Sequence, residues 1–169
     1  MGGLDARYMI SRLKPPNVDV KSLTTIATPH RGSAFADYMF TRIGPVYVPK
    51  LYKTLEYYGL DTGAFAQLTR QYMNEVFNPA TPDLDGVKYF SYGANLAPTK
   101  WSIFLYSHAV IKELEGVEND GLVSVSSAKW GVYKGTLTGV SHLDLINWTN
   151  RVKWMFWQLT GTTKQVASR

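Results

Sequence analysis

Two polar side chains in the second half of the sequence, Asp120 and His142, have the types and spacing of an acid–base pair. Asp120 stands in the polar turn Asn119-Asp120-Gly121, and His142 follows the next predicted strand, just before an apolar helical pattern. A histidine oriented by a buried carboxylate can act as general base on a hydroxyl nucleophile. Asn-Asp-Gly is also a common turn sequence, but its pairing with a downstream loop histidine favours Asp120 and His142 as the acid and the base of a catalytic triad.

The nucleophile that such a triad needs does not appear in the chain. In the pattern G-x-S-x-G, the serine occupies a strained turn, the next residue donates an oxyanion-hole N–H, and the last glycine allows close packing. Met1 and Gly2 match the last two positions of this pattern, so Met1 takes the oxyanion-hole position. Ser33 and Ser141 do not stand in it. We therefore expect the serine to precede residue 1, and residues 1–169 alone to be inactive.

The other two histidines are predicted to be structural. His30 and its neighbour Arg31 follow a predicted strand, and we expect them to brace a loop near the active site rather than to act in the chemistry. His108 lies in a segment of mixed pattern and is expected to make structural hydrogen bonds.

A helix and three strands are predicted where the patterns are strongest. The helix covers residues 2–13, and its apolar side carries Leu4, Tyr8 and Leu13. The strands cover residues 20–27, 86–92 and 132–138. The first strand lacks polar alternation, which indicates burial on both faces, as in a parallel sheet. Together these elements predict an α/β fold with a mostly parallel sheet, whose carboxyl edge is where open sheets of this kind carry their sites.

The segments around the last two strands have weaker patterns. Gly93-Ala94-Asn95 is predicted to turn out of the second strand, and residues 109–114 have a helical tendency. Residues 122–125 are short and either extended or irregular. A helix is predicted from Leu143 to about Thr160, followed by a polar tail over residues 161–169.

Residues 34–82 interrupt the alternation of strands and helices. This segment is too long for an ordinary connection. One helix within it, which Asp61 or Thr62 can cap, is indicated by helical spacing of Phe65, Leu68, Tyr72 and Val76. The segment is either a lid over the site or an additional helical layer without a gating role, and the sequence leaves both open.

Composition excludes several other classes of protein. At 169 residues with 45% hydrophobic residues, the chain can form one globular domain. Its net charge is +5, but the basic residues are scattered, so no nucleic-acid surface is predicted, and a weak preference for anionic lipid surfaces is compatible with the charge. There is no cysteine for a thiol nucleophile or a metal site. No transmembrane segment and no signal peptide is predicted, and the sequence assigns no compartment.

Four segments together resemble the triacylglycerol lipases of the α/β-hydrolase fold, in particular the group that includes the Pseudomonas and Burkholderia lipases and related fungal lipases. They occur in the family's order and with similar spacing, and they are GGLDARY at 2–8, SLTTIATPHRGSAFAD at 22–37, NDGLVSVSSAKWG at 119–131 and HLDLIN at 142–147. The resemblance implies the C-terminal half of an α/β-hydrolase: a partial, mostly parallel sheet with flanking helices and a helical lid or cap insertion. It also implies Asp120 as the triad acid and His142 as the triad base.

By the same resemblance the chain is one partial α/β-hydrolase domain. Residues 1–33 would be the helix, strand and loop after the elbow, 34–82 the lid or cap, 83–160 the last strands, the acid and histidine loops and a helix, and 161–169 a tail. The first strand would then lie at an uncovered sheet edge, so we expect the chain alone to be insoluble or molten. Candidate residues of the substrate or lid region are His30, Phe35, Tyr38 and Phe40.

The activity that the resemblance implies is that of a serine ester hydrolase acting on acylglycerols, with a lipid or ester as substrate and a transient contact with the lipid interface. Two alternatives stay open: a non-catalytic remnant that binds lipid or a partner through its aromatic region, and a phospholipase or deacylase of lipid-linked glycans. Some family members bind a structural calcium near the histidine loop. Asp144 would be one ligand, but Trp148 stands where an oxygen ligand would be needed, so no metal or cofactor is predicted.

Overall fold

Three parallel strands form the centre of the protein in a computed structural model that describes residues 1–42 and 66–145. The strands are β1 (Ser22–Ile26), β2 (Lys88–Asn95) and β3 (Val132–Thr138), and they lie side by side in the order β1-β2-β3. Since both pairings are parallel, the carboxyl ends of all three strands meet at one edge of the sheet. The loops that carry Asp120 and His142 lie at this edge.

Two sequence expectations about the strands need correction. Gly93-Ala94-Asn95 is not a turn but the end of β2, because these residues pair with Thr136, Leu137 and Thr138 of β3. The expectation that the first strand is buried on both faces is also wrong. Within β1 only Thr25 is buried, and Ile26 is 49% exposed. In the sheet of the described residues, β1 is an edge strand whose neighbour is β2.

Helices precede, separate and follow the three strands along the chain. The first, α1, runs from Gly2 to Tyr8 and continues without a break as a π-helix over Met9–Leu13. Helix α2 begins at residue 34 and continues to residue 42. Helix α3 is a continuous helical stretch made of Arg70–Tyr72, the π-helical Met73–Phe77 and Asn78–Ala80. The last three are α4 (Leu105–Glu115), α5 (Val125–Ala128) and α6 (His142–Leu145).

Several helix boundaries differ from the sequence-based prediction. Helix α4 begins four residues before the predicted segment 109–114. The first turn of α3 is capped by Thr69, whose hydroxyl accepts the N–H of Tyr72. Asp61, Thr62 and Phe65 lie outside the described residues, as do residues 146–169 of the predicted C-terminal helix and tail. None of the helices in the described ranges is long and apolar enough to cross a membrane.

The buried side of the first helix agrees with the prediction only at Leu4. Tyr8 and Leu13 are 45% and 64% exposed. The other buried side chains are those of Arg7, Ile10 and Ser11. Arg7 can be buried because its guanidinium lies 3.7 Å from the centre of the Trp130 ring, a cation–π contact. The contact with Trp130 thus explains why the side of the helix that carries Arg7 faces the protein interior.

Hydrogen bonds join this buried arginine to two other parts of the chain. Its guanidinium donates to Oδ1 of Asn78 (2.9 Å) and to the carbonyl of Thr81 (3.0 Å), at the end of α3. It also lies 3.3 Å from Nδ1 of His30, and the His30 ring stacks on Trp130 at 5.2 Å. Burial lowers the pKa of Arg7 to about 10, so the group stays charged at neutral pH. This arginine cluster holds α1, the loop after β1 and α3 together.

Candidate active site

Asp120 and His142 lie in direct contact at the carboxyl edge of the sheet. The distance between Nδ1 of His142 and Oδ2 of Asp120 is 2.7 Å. The backbone N–H of His142 also donates to the carbonyl oxygen of Asp120 at 3.1 Å. The Asp120 side chain is completely buried, whereas that of His142 is 22% exposed. The contact expected from the sequence is therefore present, and a neutral imidazole that donates from Nδ1 keeps the Nε2 lone pair for accepting a proton.

The loop around Asp120 holds the carboxylate by both of its oxygens. While Oδ2 faces His142, Oδ1 accepts the backbone N–H groups of Leu122 (3.0 Å) and Val123 (2.8 Å). The preceding side chain, Asn119, accepts the N–H of Gly121 and donates to the carbonyl of His108. These bonds orient the carboxylate toward His142.

Gly121 permits the shape of this loop. Its φ is +99°, a conformation that residues with a Cβ rarely adopt. A Cβ built on it would also lie 2.6 Å from Cβ of Phe104. A glycine is thus needed at position 121 both for the backbone angle and for the close approach of the Phe104 side chain.

His142 is the first residue of α6, and a reciprocal cap holds the start of this helix. The carboxylate of Asp144 accepts the backbone N–H (3.0 Å) and the hydroxyl (2.6 Å) of Ser141, and the Ser141 hydroxyl accepts the N–H of Asp144 (3.3 Å). This is a capping box. The sequence-based interpretation missed it, although Ser-x-x-Asp before an apolar pattern is its signature.

The hydrogen bonds of the capping box involve Asp144, the residue that the resemblance suggested as a calcium ligand. The Asp144 carboxylate is engaged with Ser141, and Trp148 lies outside the described residues. Among the residues that the structure describes, no group of three histidine, aspartate or glutamate side chains is placed to hold a metal ion.

Met1 and His142 face two adjoining hollows. The first, a cavity of about 70 Å³, has mostly apolar walls that include Phe35, Leu68, Leu122 and Val123. The second is an open groove of about 300 Å³ between the start of α1 and β1, and His142 and Met1 line it too. The proposed oxyanion-hole position is thus beside the proposed base, next to an apolar surface.

The close packing expected at the glycine after Met1 occurs one residue later. A Cβ on Gly2 would meet no atom within 4 Å, whereas a Cβ on Gly3 would lie 2.3 Å from Oγ1 of Thr28. The assignment of Gly2 as the closing glycine of the elbow stays a prediction. It is Gly3 that lets α1 approach the loop after β1.

The candidate substrate residues separate into two groups. Phe35 lines the cavity beside His142. Tyr38 points to another cleft, where its hydroxyl is 2.5 Å from that of Tyr106. Phe40, on the same helix, is half-buried and does not line the cavity either.

His30 does not belong to the substrate region. It is completely buried, and besides Arg7 it contacts Oγ1 of Thr25 through Nε2 at 2.9 Å. Burial, and then the charges of Arg7 and Arg31, lower its pKa to about 3, so it is neutral. The bracing role expected from the sequence holds also for Arg31, whose guanidinium donates to the carbonyls of Ser126 and Lys129.

His108 has the structural position expected of it. Its carbonyl accepts from Asn119, and burial is the main cause that lowers its pKa. The residues that sequence reasoning missed are Arg7, Trp130 and Asn78 of the arginine cluster. The available signal was the position of Arg7, three residues after Leu4 and thus on the same side of the predicted helix.

Comparison with known proteins agrees with this architecture. No protein-family model matches the chain. Triacylglycerol lipase 2 of Saccharomyces cerevisiae is 43% identical over 157 residues, which is 90% of this chain and 45% of that protein. The chain thus spans less than half the length of this relative.

Solved structures show the fold. The crystal structure of Bacillus licheniformis lipase BlEst2 in mature form superposes with a TM-score of 0.65 at 20% identity, covering 96% of this chain and 62% of the other. The propeptide form of the same lipase gives 0.63 at 21%, covering 99% and 36%. Lipase 1 from Pelosinus fermentans gives 0.51 at 14%, covering 92% and 69%. The chain is therefore lipase-like, and its described residues form part of the α/β-hydrolase fold.

Proposed function

We propose that this chain supplies the acid and the base of a serine ester hydrolase that acts on acylglycerols. The observation that carries the proposal is the 2.7 Å contact between Nδ1 of His142 and the buried carboxylate of Asp120. Similarity to a triacylglycerol lipase at 43% identity supports the type of substrate. The apolar cavity beside His142 offers a wall for an acyl chain.

In the proposed reaction the nucleophile is a serine one position before Met1. Nε2 of His142 takes the proton of its hydroxyl as the oxygen attacks the ester carbonyl, and Asp120 stabilises the imidazolium. The backbone N–H of Met1 donates to the oxyanion. The imidazolium then protonates the departing alcohol, and a water molecule deprotonated by His142 releases the fatty acid from the acyl-enzyme.

The proposal also holds that residues 1–169 alone do not hydrolyse esters. Neither Ser33 nor Ser141 is placed as a nucleophile: Ser33 donates to the carbonyl of Leu122, and Ser141 caps α6. β1 lies at the sheet edge with Ile26 half exposed, an arrangement that favours aggregation of an isolated chain.

A chimera tests the assignment. The part of the yeast lipase that precedes the matched segment is joined before residue 1, and hydrolysis of a triacylglycerol and of a short-chain p-nitrophenyl ester is measured. We expect activity in the chimera, and a loss of several orders of magnitude in its His142→Ala form, which should still unfold cooperatively. Equal activity in the folded His142→Ala chimera would show that the base lies elsewhere. Activity in residues 1–169 alone that depends on His142 would show a nucleophile within the chain.

A further inference from the structure

One peptide group in the loop around Asp120 is hydrogen-bonded on both sides. Its N–H, which belongs to Val123, donates to Oδ1 of Asp120 at 2.8 Å. Its carbonyl, which belongs to Leu122, accepts the hydroxyl of Ser33 at 2.7 Å. Ser33 and Val123 are 8% and 4% exposed, so water has little access to either bond. The hydroxyl of Ser33 is thus connected to the carboxylate of Asp120 through a single peptide group.

This hydroxyl comes from a distant part of the chain. Ser33 lies 89 positions before Leu122, at the end of the loop after β1 and immediately before α2. Its backbone N–H donates to the carbonyl of Leu68 at 2.8 Å, and its carbonyl accepts the N–H of Asp37 at 3.2 Å. The Ser33 side chain therefore reaches the loop around Asp120 from a backbone that is itself held in place.

The residues just before Ser33 bind the helix that follows the loop around Asp120. The backbone N–H of Arg31 donates to the hydroxyl of Ser127 at 3.2 Å, and this hydroxyl donates to the carbonyl of Gly32. Ser127 is buried on α5. Because these bonds join the two parts of the chain independently of the Ser33 hydroxyl, that hydroxyl can be removed without separating them.

A hydrogen bond to a carbonyl changes how the N–H of the same peptide group behaves. The bond draws electron density toward the oxygen and makes the N–H a stronger donor, so that hydrogen bonds in a chain strengthen one another. It also fixes the plane of the peptide group. Both effects reach the Asp120 carboxylate, whose other oxygen must face Nδ1 of His142 at 2.7 Å.

We propose that Ser33 is a positioning residue for the acid of the triad. Its hydroxyl orients and polarises the peptide group between Leu122 and Val123, which in turn holds the carboxylate of Asp120 toward His142. The catalytic consequence of this role rests on the proposed function. Ser33 also borders the cavity beside His142, so a direct contact of its hydroxyl with the substrate is the competing role.

Steady-state kinetics of the chimera separate these roles. Ser33→Ala should lower kcat about tenfold and leave KM unchanged, because a displaced acid affects the chemical step and not the binding of substrate. Ser33→Thr keeps the hydroxyl and should recover most of kcat. Ser91→Ala is the matched control, since the buried Ser91 hydroxyl also donates to a carbonyl at 2.7 Å, but to that of Trp130. It should lower the melting temperature and leave kcat unchanged.

A double-mutant cycle shows whether the effect passes through Asp120. In the Asp120→Asn chimera, Ser33→Ala should cause no further loss of kcat, because the side chain that Ser33 positions no longer fixes the imidazole. The same tenfold loss in both backgrounds would overturn the proposal, and so would full kcat in Ser33→Ala. A raised KM with unchanged kcat would assign the hydroxyl to substrate binding instead. A loss as large as that of His142→Ala would make Ser33 the nucleophile.

Nuclear magnetic resonance tests the hydrogen bonds without relying on hydrolysis. In a chimera isotopically labelled at its valine nitrogens, the amide signal of Val123 is identified by its loss in Val123→Ile. Its proton should move to higher field in Ser33→Ala, because a weaker donor makes a weaker bond to the carboxylate, and stay near its original position in Ser33→Thr. An unmoved signal in Ser33→Ala would overturn the proposal even in an inactive chimera. A moved signal in an inactive chimera would support the positioning of Asp120 and count against the proposed function alone.

Discussion

Asp120 and His142 are joined twice, by side chain and by backbone. The imidazole contacts the carboxylate at 2.7 Å, and the backbone N–H of His142 donates to the Asp120 carbonyl at 3.1 Å. The second bond holds the two loops in register even when the side chains are changed. Substitutions of the carboxylate should therefore alter the chemistry while the loops keep their positions, and this separation underlies the first prediction.

Asp120→Asn in the chimera should lower kcat by about 10⁴-fold, because an amide does not hold the imidazole in the Nδ1–H form. The melting temperature should fall little, since Oδ1 can still accept from Leu122 and Val123. Ester hydrolysis and thermal unfolding measured on the same preparation check both parts. A folded variant with nearly full activity would rule out Asp120 as the acid.

Gly121→Ala should destabilise the acid loop by more than its backbone angle alone explains. An alanine there must adopt φ near +99° and also displace Phe104, so we expect a loss of about 2–4 kcal/mol in the free energy of unfolding. Gly86→Ala is the control, because Gly86 has a φ of +86° with nothing within 4 Å of a Cβ, and it should cost about 1 kcal/mol. Equal losses in urea titrations of the two variants would contradict the role of Phe104.

Asp144→Ala should remove the reciprocal cap of α6 and lower the free energy of unfolding by about 1 kcal/mol. It should also lower kcat, because His142 is the first residue of the capped helix. Asp144→Glu, which keeps a carboxylate for the cap, should recover most of the lost free energy of unfolding and most of kcat. If Asp144→Glu loses as much as Asp144→Ala, the cap is not what positions His142.

Removal of divalent cations should leave the chimera's melting temperature unchanged. The carboxylate of Asp144 is bound to Ser141, and the expectation from the sequence was that no calcium is held. Thermal unfolding with EDTA, with calcium and after dialysis checks this. A melting temperature that rises with calcium in the wild-type chimera and not in Asp144→Ala would identify a calcium ligand at this position.

His30 should make the protein less stable as the pH falls. Its folded pKa is about 3 against an ordinary value of 6.5, so between these values the unfolded chain binds a proton that the folded one does not. The free energy of unfolding therefore decreases as the pH is lowered through this window, by at most about 1.4 kcal/mol per pH unit. Urea titrations at several pH values should show a smaller slope in His30→Gln. An unchanged slope would mean that another group dominates.

The sequence by itself determined the elements whose signals are local. Residues 132–138 were predicted as a strand and form β3 with those bounds. The pairing of Asp120 with His142 was also predictable, because chain order and loop position bring them to the same sheet edge. The lid assignment of residues 34–82, of which 43–65 lie outside the described ranges, stays a prediction.

Only the tertiary structure decided the features that depend on distant partners. Arg7 is buried because Trp130 and Asn78 receive its guanidinium, and β2 extends to Asn95 because β3 supplies its hydrogen bonds. Ile26 is exposed because β1 is the edge of the sheet. Periodicity reports how apolar a side chain is, whereas its burial depends on whether another part of the fold offers it a partner, and that is set by contacts between residues far apart in the chain.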